Sequence, residues 1–462
     1  MDELIRKSAC DIVALLQAGE ISTDDTLAAL AARIETVEPE INALPTLCFE
    51  RARERGRAGN FRHSLLAGIP VAIKDLTDVA GVRTTYGSML HENHVPEASD
   101  LMVERLEANG GVVYAKSNTP EFGSGGNSFN DVFGATRNPH DTTRSAGGSS
   151  GGAAAALASG TAWLAQGSDL GGSLRTPAAF CGVTSLRPSP GVVTTNPGLN
   201  PFDVYSQKGP MARNVADLAL FADAMAGPSA LVGVSKLHDV DDFRNAAAKP
   251  VKPLKIAYSE DLGITQTSTE IREVCNRAIA KLDGYHIAVE NTHPDLGMMD
   301  AAFDVPRALD YALSYGAELD AIRDTIKPEN IWNIEFGLQL GADEIRRSLD
   351  ARGQVFNNAA RFMQQYDLLI CPATIIPAYP VEERYPGYSD GVPYSEYYRW
   401  LAICCAITTT TLPVITLPCG KTDAGLPVGL QIIGKPHGEL ELFALASYLE
   451  QVFGWDGAQL LK

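Results

Sequence analysis

The stretch Gly68-Ile-Pro-Val-Ala-Ile-Lys74-Asp75 indicates the fold class, because it is a short apolar strand ending in charged residues. Downstream, an amphipathic helix is predicted over residues 100–109, and the sequence after Gly110-Gly111 predicts a second strand over residues 112–115. A strand followed by a helix and another strand is typical of a sheet with helices packed against it. The same order of elements recurs further along the chain.

The later elements extend this pattern over the whole sequence. Further strands are predicted over residues 162–166, 255–258, 286–289, 367–371, 414–417 and 428–433, and helices over residues 152–159, from 176 onward and through most of 296–365. The sequence therefore predicts an α/β fold, a single large domain over residues 1–462 with a central mixed β-sheet covered on both faces by helices. Its expected parts are a helical N-terminal region (1–60), a core (61–225), a variable, mainly helical region (226–395) and a C-terminal part of the core (396–462).

The charge balance excludes several classes of partner. The chain has 38 Lys and Arg against 56 Asp and Glu, a formal net charge of -18. Nucleic-acid binding depends on neutralising phosphates, and anionic membranes attract basic surfaces. We therefore expect a small-molecule substrate, with no nucleic acid and no membrane as partner.

Three features favour a cytoplasmic location. The eight cysteines include no CxxC pair and lie mostly in apolar runs, as expected of reduced thiols. The N-terminal residues are acidic from Asp2 and lack the apolar segment of a secretory signal. Residues 400–420 are uncharged over the length of a membrane span, but their threonines and prolines favour a buried helix ending near Thr411 and then a strand.

Two glycine- and serine-rich loops are the most unusual segments, Ser145-Ala-Gly-Gly-Ser-Ser-Gly-Gly152 and Gly167-Ser-Asp-Leu-Gly-Gly-Ser-Leu-Arg175. Such loops occur where the backbone approaches a ligand, and tight turns beside packed helices are the alternative. A phosphate-binding P-loop would require a lysine after Gly152. A hydrolase nucleophile elbow would require a strand just before the first loop, and residues 139–144 do not predict one.

Lys74 is the third chemical feature. Alternation along the strand places it on the face of Ala72, opposite Val71 and Ile73. Burial would lower the pKa of its ammonium group, and a neutral lysine can act as a general base. A lysine that extends to the surface is the alternative.

These segments together carry a resemblance. GIPVAIKD (68–75), AGGSSGG (146–152) and GSDLGGSLRTPAAFCGV (167–183) resemble the amidase signature family, serine hydrolases with a Ser-cisSer-Lys triad. The resemblance is strong over about residues 60–225, extends to the C-terminal segment beginning at Leu426, and is weak between residues 230 and 395. It implies that Ser173 is the acyl-forming nucleophile, that Ser149 bridges after a cis bond to Gly148, and that Lys74 is the base.

Further roles follow from this assignment. The backbone N–H groups of Leu170, Gly171 and Gly172 lie beside Ser173 and are the predicted oxyanion hole. Asp169 and Arg175 are expected to brace that loop. The resemblance implies no cofactor and no metal, and the spacing of His91 and His94 departs from the HExxH zinc motif.

The predicted substrate contacts rest on the family resemblance. Gly125, Gly126 and Asn127 align with a loop that lines the substrate pocket in the family. Asn127 either bonds a substrate carbonyl or holds a turn. In the weakly matching region, which shapes substrate choice in the family, packing in the core is the favoured interpretation of three aromatic residues, Tyr311, Trp332 and Phe336.

The sequence thus predicts a stand-alone hydrolase of a small or aryl amide, with carbamates (urethanes) and esters as other substrate classes. The alternative is the glutaminase component of a tRNA-dependent amidotransferase, its A-type chain. The divergent middle region and residues 394–400 favour the stand-alone enzyme. A non-catalytic protein on this fold would lack a triad residue, yet all three are present. A homodimer is compatible with the resemblance.

Overall fold

The computed structural model describes residues 2–196, 198–235 and 242–455. The described helices are α1 Asp2–Arg6, α2 Ala9–Ala18, α3 Thr23–Ile41, α4 Phe49–Ala58, α5 Leu101–Ala108, α6 Gly151–Ser159, α7 Arg175–Cys181, α8 Val215–Met225, α9 Asp242–Ala247, α10 Thr269–Ala280, α11 Met299–Tyr315, α12 Leu319–Ile322, α13 Pro328–Gln339, α14 Ala342–Phe362, α15 Ala402–Thr410 and α16 Glu439–Phe453. The described strands are β1 Thr46–Leu47, β2 Pro70–Lys74, β3 Val112–Ser117, β4 Phe129–Asn130, β5 Gly134–Ala135, β6 Arg137–Asn138, β7 Asp141–Ser145, β8 Leu164–Asp169, β9 Thr184–Arg187, β10 Gln207–Ala212, β11 Lys255–Tyr258, β12 Ala288–Asn291, β13 Leu368–Pro372, β14 Tyr388–Ser389, β15 Val392–Pro393, β16 Val414–Lys421 and β17 Pro427–Ile433.

The central sheet is large and mixed, which confirms the predicted fold class. Its eleven described strands follow the order β1-β3-β2-β8-β10-β9-β16-β17-β13-β11-β12. Strand β2 pairs in parallel with both β3 and β8. From β8 across to β17 the pairs are antiparallel. Parallel pairing of β2 with β8 matters most here, because it places the carboxyl ends of both strands at one edge of the sheet.

Helices cover both faces of this sheet. Alternate residues of β13 belong to different buried clusters, Leu368 and Ile370 to one, Leu369 and Cys371 to the other. Because side chains alternate across a strand, the two clusters lie on opposite faces. One cluster includes α2, α6, α8 and α16, and the other includes α11, α14 and α15.

Three strands of the central sheet, β1, β9 and β10, are absent from the elements that the sequence predicts. Strand β10 reads Gln-Lys-Gly-Pro-Met-Ala, and Lys, Gly and Pro are depleted in strands. It nevertheless pairs with β8 along most of its length. On its other side, two of its residues pair with β9. Pairing with a strand on each side therefore outweighs the low strand propensity of its residues.

Local capping interactions define the ends of the helices near the N-terminus. Gly19 follows α2 with φ at 75°, a left-handed conformation that glycine adopts readily. The Ser22 hydroxyl accepts the Asp25 N–H, and the Asp25 carboxylate accepts the Ser22 N–H at the start of α3. The uncharged stretch forms α15 and then β16, as predicted. Among the described helices, none combines the length and hydropathy needed to cross a membrane.

Candidate active site

The central sheet brings together two of the three predicted catalytic segments, those that carry Lys74 and Ser173. Lys74 is the last residue of β2 and Asp169 is the last residue of β8. The register of these parallel strands pairs Val71 with Leu164 and Ala72 with Ala165. The loop after β8 therefore begins beside Lys74 and carries Ser173 into α7.

Lys74 is fully buried and faces three hydroxyl groups. Its Nζ lies 2.7 Å from Ser149 Oγ, 2.9 Å from Ser150 Oγ and 3.0 Å from Ser168 Oγ. Its backbone N–H donates to Gln166 Oε1 at 3.1 Å, which holds the end of β2 against β8. Burial lowers the pKa of Lys74 well below its ordinary value, although the charge of Asp169 acts in the opposite direction. The arrangement therefore favours a neutral amine in hydrogen-bond contact with Ser149.

Ser149 sits in a tightly packed turn. Its peptide bond to Gly148 is cis, as the resemblance implies. A Cβ on Gly148 would lie 2.9 Å from the backbone nitrogen of Asn127, so glycine alone fits without displacing that loop. The Gly151 N–H donates to Ser128 Oγ at 2.9 Å where α6 begins.

The segment before this turn corrects one prediction. Asp141–Ser145 is a strand, β7, whereas the sequence predicts none there. It pairs with β6 in a separate two-stranded sheet and not with the central sheet. A nucleophile elbow places its serine after a strand of the central sheet, so this strand does not restore that interpretation.

Asp169 holds the loop that carries Ser173. Its carboxylate accepts the N–H groups of Gly172 at 3.1 Å and Leu174 at 3.0 Å. Arg175 donates to both of its oxygens, at 2.8 and 3.0 Å, and Arg187 lies 3.2 Å from Oδ1. Burial alone would raise the pKa of Asp169, but these two guanidinium groups hold it well below its usual value. The predicted bracing by Asp169 and Arg175 is present, and Arg187 joins it.

We expect Asp169→Ala to destabilise the fold by about 3–5 kcal/mol, because it leaves two buried guanidinium groups without their carboxylate. The loss should appear as a lower midpoint of urea unfolding. Since the folded pKa of Asp169 is depressed, its contribution is complete above its unfolded pKa of about 3.9 and declines as the pH falls through the folded value.

The matched control is Asp343→Ala, because Asp343 is 67% exposed and pairs with Arg346 and Arg347 at the surface. Its cost should stay below about 1 kcal/mol. Equal costs for the two substitutions would contradict the structural role assigned to Asp169.

A cavity of about 180 Å³ opens onto both predicted catalytic serines. Ser149, Ser168 and Ser173 line it, together with Leu170 and Gly171 of the nucleophile loop. Much of the remaining wall is aromatic, from Phe122, Phe303, Tyr311, Tyr315 and Tyr398. The cavity can therefore hold a small molecule with an apolar body next to the serine hydroxyls.

The three residues of the predicted substrate loop, Gly125, Gly126 and Asn127, have different surroundings. Gly125 lines the cavity. A Cβ on Gly126 would lie 2.2 Å from the Trp400 ring, so Gly126 packs against that side chain. The Asn127 amide donates to the carbonyls of Val381 and Glu383, at 3.0 and 2.8 Å, and Asn127 Oδ1 accepts from Ser145 at 2.7 Å. These bonds favour the turn-holding role of Asn127 over the substrate contact.

The three aromatic residues expected in the core have different surroundings. Tyr311 lines the cavity. Trp332 is 40% exposed, and its ring centroid lies 5.5 Å from that of half-buried Phe336. The core-packing interpretation is therefore wrong for Trp332. Tyr311 packs against a small buried cluster that includes Leu319 and Ile334, and it also borders the cavity because α11 forms one side of it.

The two histidines of the HENH sequence take part in ring packing. The Tyr86 ring lies 5.0 Å from His91 and 5.7 Å from His94, and the two imidazoles are 5.9 Å apart. Within the described ranges, no group of three or more His, Cys, Asp or Glu side chains is arranged to hold a metal ion.

Sequence reasoning missed several residues of this site. Ser150 and Ser168 also lie within hydrogen-bond distance of Lys74 Nζ, at 2.9 and 3.0 Å, and both belong to the two glycine- and serine-rich loops. The parallel pairing of β2 with β8 would have placed Ser168 near Lys74. Arg307 and Phe303, on α11, also line the cavity. No motif marks them, because they come from the region where the resemblance is weak.

Comparison with known proteins agrees with this geometry. The family model described as Amidase matches residues 25–443. An acylamidase of Rhodococcus erythropolis is 31% identical over 463 residues, covering 97% of this chain and 96% of the relative. The A-type chain of a glutamyl-tRNA(Gln) amidotransferase from Moorella thermoacetica is 34% identical, covering 97% of each chain. The crystal structure of a bacterial aryl acylamidase of the amidase signature family superposes with a TM-score of 0.90 at 26% identity, covering 97% of this chain and 96% of that one.

The chain belongs to the amidase signature family, as the resemblance predicted. It is an amidase, a hydrolase that acts on carbon–nitrogen bonds other than peptide bonds. The predicted homodimer and the assigned roles of individual residues stay predictions.

Proposed function

We propose that this chain is a stand-alone amide hydrolase that forms an acyl-enzyme on Ser173, with Ser149 and Lys74 as the proton relay. The observation that carries the proposal is the contact of 2.7 Å between Lys74 Nζ and Ser149 Oγ at the edge of a cavity that Ser173 also lines. A serine hydroxyl is a weak nucleophile until a base accepts its proton. A buried lysine with a depressed pKa is such a base.

The proposed reaction has two halves. Ser173 Oγ attacks the amide carbon while its proton passes to Ser149 and the Ser149 proton passes to Lys74. The protonated lysine then returns a proton through Ser149 to the departing nitrogen, and the C–N bond breaks. Water attacks the resulting ester by the same route, which releases the carboxylic acid and regenerates Ser173.

The oxyanion would be held by the loop between β8 and α7. The Leu170 carbonyl accepts the Thr408 hydroxyl at 2.6 Å. Because a trans peptide unit points its N–H away from its carbonyl, the Gly171 N–H is directed away from α15. The Gly172 N–H already donates to Asp169. We therefore assign Gly171 as the leading oxyanion donor, with Leu170 beside it.

The proposed substrate is a small or aryl amide. The cavity volume of about 180 Å³ and its aromatic wall suit a compact acyl or aryl group. Carbamates and esters would react through the same acyl-enzyme, and their relative rates depend on how the leaving group fits beside Ser149.

A small fluorophosphonate tests the proposal directly. Intact mass should show one adduct for each wild-type chain, and peptide mapping should place it on the peptide that contains Ser173. An adduct on Ser149 would transfer the nucleophile role to that residue. A wild-type chain that gains no adduct would refute the activated serine.

A second function is favoured by one observation, the 34% identity to the A-type chain of a glutamyl-tRNA(Gln) amidotransferase. In that case glutamine would be the substrate, and hydrolysis would depend on a partner chain. Turnover of simple amides by the isolated chain, faster than turnover of glutamine, would support the stand-alone enzyme. Glutamine hydrolysis that requires a partner chain would support the alternative.

A further inference from the structure

One positive charge in the cavity lacks a carboxylate partner. Arg307 lies on α11, is 7% exposed and lines the cavity together with Ser149 and Ser173. Within the described part of the chain, no carboxylate oxygen lies within the 4 Å of an ion pair with its guanidinium group. A buried charge of this kind is costly unless something in the site compensates it.

The groups around Arg307 leave part of its hydrogen-bonding capacity unused. One Nη donates to Asn333 Oδ1 at 2.6 Å, and the other donates to the Tyr397 hydroxyl. The guanidinium carbon lies 4.3 Å from the centroid of the Tyr398 ring, a cation–π contact. A guanidinium group has five N–H donors in a planar fork, so these described partners occupy two of them. Carboxylates are the ligands that this fork binds best.

The acidic residues one turn away on α11 do not neutralise Arg307. Asp304 pairs with Arg399, its Oδ2 lying 2.6 Å from a guanidinium nitrogen of that residue. Asp310 lines the cavity but forms no ion pair with Arg307 among the described contacts. Burial and the charge of Asp203 raise the pKa of Asp310 to about 6. Among the described residues that line the cavity, Arg307 is therefore the cation available to a ligand beside Ser173.

The helix also indicates which end of the substrate would reach Arg307. Phe303 and Arg307 are four residues apart on α11 and so lie on one face, separated by a rise of about 6 Å. A Cβ on Gly171 would lie 3.2 Å from Phe303 Cζ, so Phe303 contacts the nucleophile loop. The departing nitrogen must face Ser149 and Lys74 to receive its proton. The acyl chain consequently extends away from them, along Phe303 towards Arg307.

We propose that Arg307 binds a carboxylate on the acyl part of the substrate, so that this enzyme prefers half-amides of short dicarboxylic acids. The inference rests on the proposed acyl-enzyme at Ser173 and adds the substrate class. Attack by Ser173 would break the C–N bond and release the amine with its returned proton. Water would then cleave the ester and release the dicarboxylate.

The test compares glutaramate with pentanamide, which has the same chain length and no carboxylate. The wild type should hydrolyse glutaramate with a kcat/KM about 100-fold higher, since removing one partner of a buried charged pair has effects of this size. Arg307→Met should abolish that preference, because its loss on glutaramate, mainly through KM, should be far larger than its loss on pentanamide. Arg307→Lys should restore part of the preference.

Three controls make the result specific. Arg346→Met removes a charge from a 68% exposed arginine and should leave the ratio of the two substrates unchanged. Glutarate should inhibit wild-type hydrolysis of pentanamide competitively, a measurement that needs no variant. N-pentanoylglycine, with its carboxylate on the amine side, should be no better a substrate than N-methylpentanamide.

Three results would overturn the inference. These are equal hydrolysis of glutaramate and pentanamide by the wild type, an equal loss on both in Arg307→Met, or a preference for N-pentanoylglycine. A wild type that gains the fluorophosphonate adduct but hydrolyses neither amide would also overturn it, and would leave the Ser173 proposal intact. Absence of the adduct would instead refute the proposed function itself.

Discussion

Ser173→Ala is expected to lower kcat/KM for any amide substrate by about 10⁴-fold or more, the scale seen when a hydrolase loses its nucleophile. Ser173 lies on the loop that Asp169 holds in place and lines the cavity with Ser149. Alanine removes the oxygen that forms the ester and leaves that loop intact. The variant should therefore unfold at the same urea concentration as the wild type, which separates lost chemistry from lost structure.

The control for Ser173→Ala is Ser206→Ala, because Ser206 also lines the cavity but belongs to the segment before β10. Its fluorophosphonate adduct should form as in the wild type. Activity of Ser173→Ala within tenfold of the wild type would remove Ser173 from the nucleophile role. Ser149 would then be tested in the same way.

Lys74→Met should lower kcat by about 10³-fold, within the range that a general base contributes. Methionine keeps much of the side-chain volume but cannot accept the Ser149 proton. In the wild type, kcat/KM should rise with pH as Lys74 loses its proton, and burial should place this rise well below pH 10.5. The variant should lack that rise, so a pH profile of both proteins is the measurement.

Lys116→Met is the matched control for Lys74→Met. Lys116, on neighbouring β3, is also fully buried, and burial lowers its pKa to about 8. Its Nζ donates to the Thr77 carbonyl and the Thr84 hydroxyl, and lies 3.6 Å from Asp75. Its loss should reduce stability and preserve the ascending limb of the pH profile. An unchanged pH profile in Lys74→Met would contradict the base role of Lys74.

The strands that carry the site could be predicted because their apolar, β-branched residues are the ones that the folded protein buries in its sheet. Val71 and Ile73 are apolar, β-branched and fully buried in β2. Strand β10 could not be predicted, since its Lys, Gly and Pro form a strand only between β8 and β9. The cavity contact of Tyr311 could not be predicted for a related reason. An apolar helical face looks the same in sequence whether it packs in the core or borders a cavity.

The family and the members of the predicted triad follow from local sequence. Lys74, Ser149 and Ser173 each lie in a short continuous motif, and the glycines of these motifs allow the tight turns that the backbone makes there. How these motifs meet depends on the packed fold. Parallel pairing of β2 with β8 brings Lys74 beside the loop that carries Ser173. Packing of the turn before α6 places Ser149 Oγ 2.7 Å from Lys74 Nζ, across 75 positions of the chain. The same holds for Arg307. That it has no carboxylate partner among the described residues becomes visible only once α11 is packed beside the nucleophile loop. Pairwise distances and burial arise from packing, which no single segment encodes.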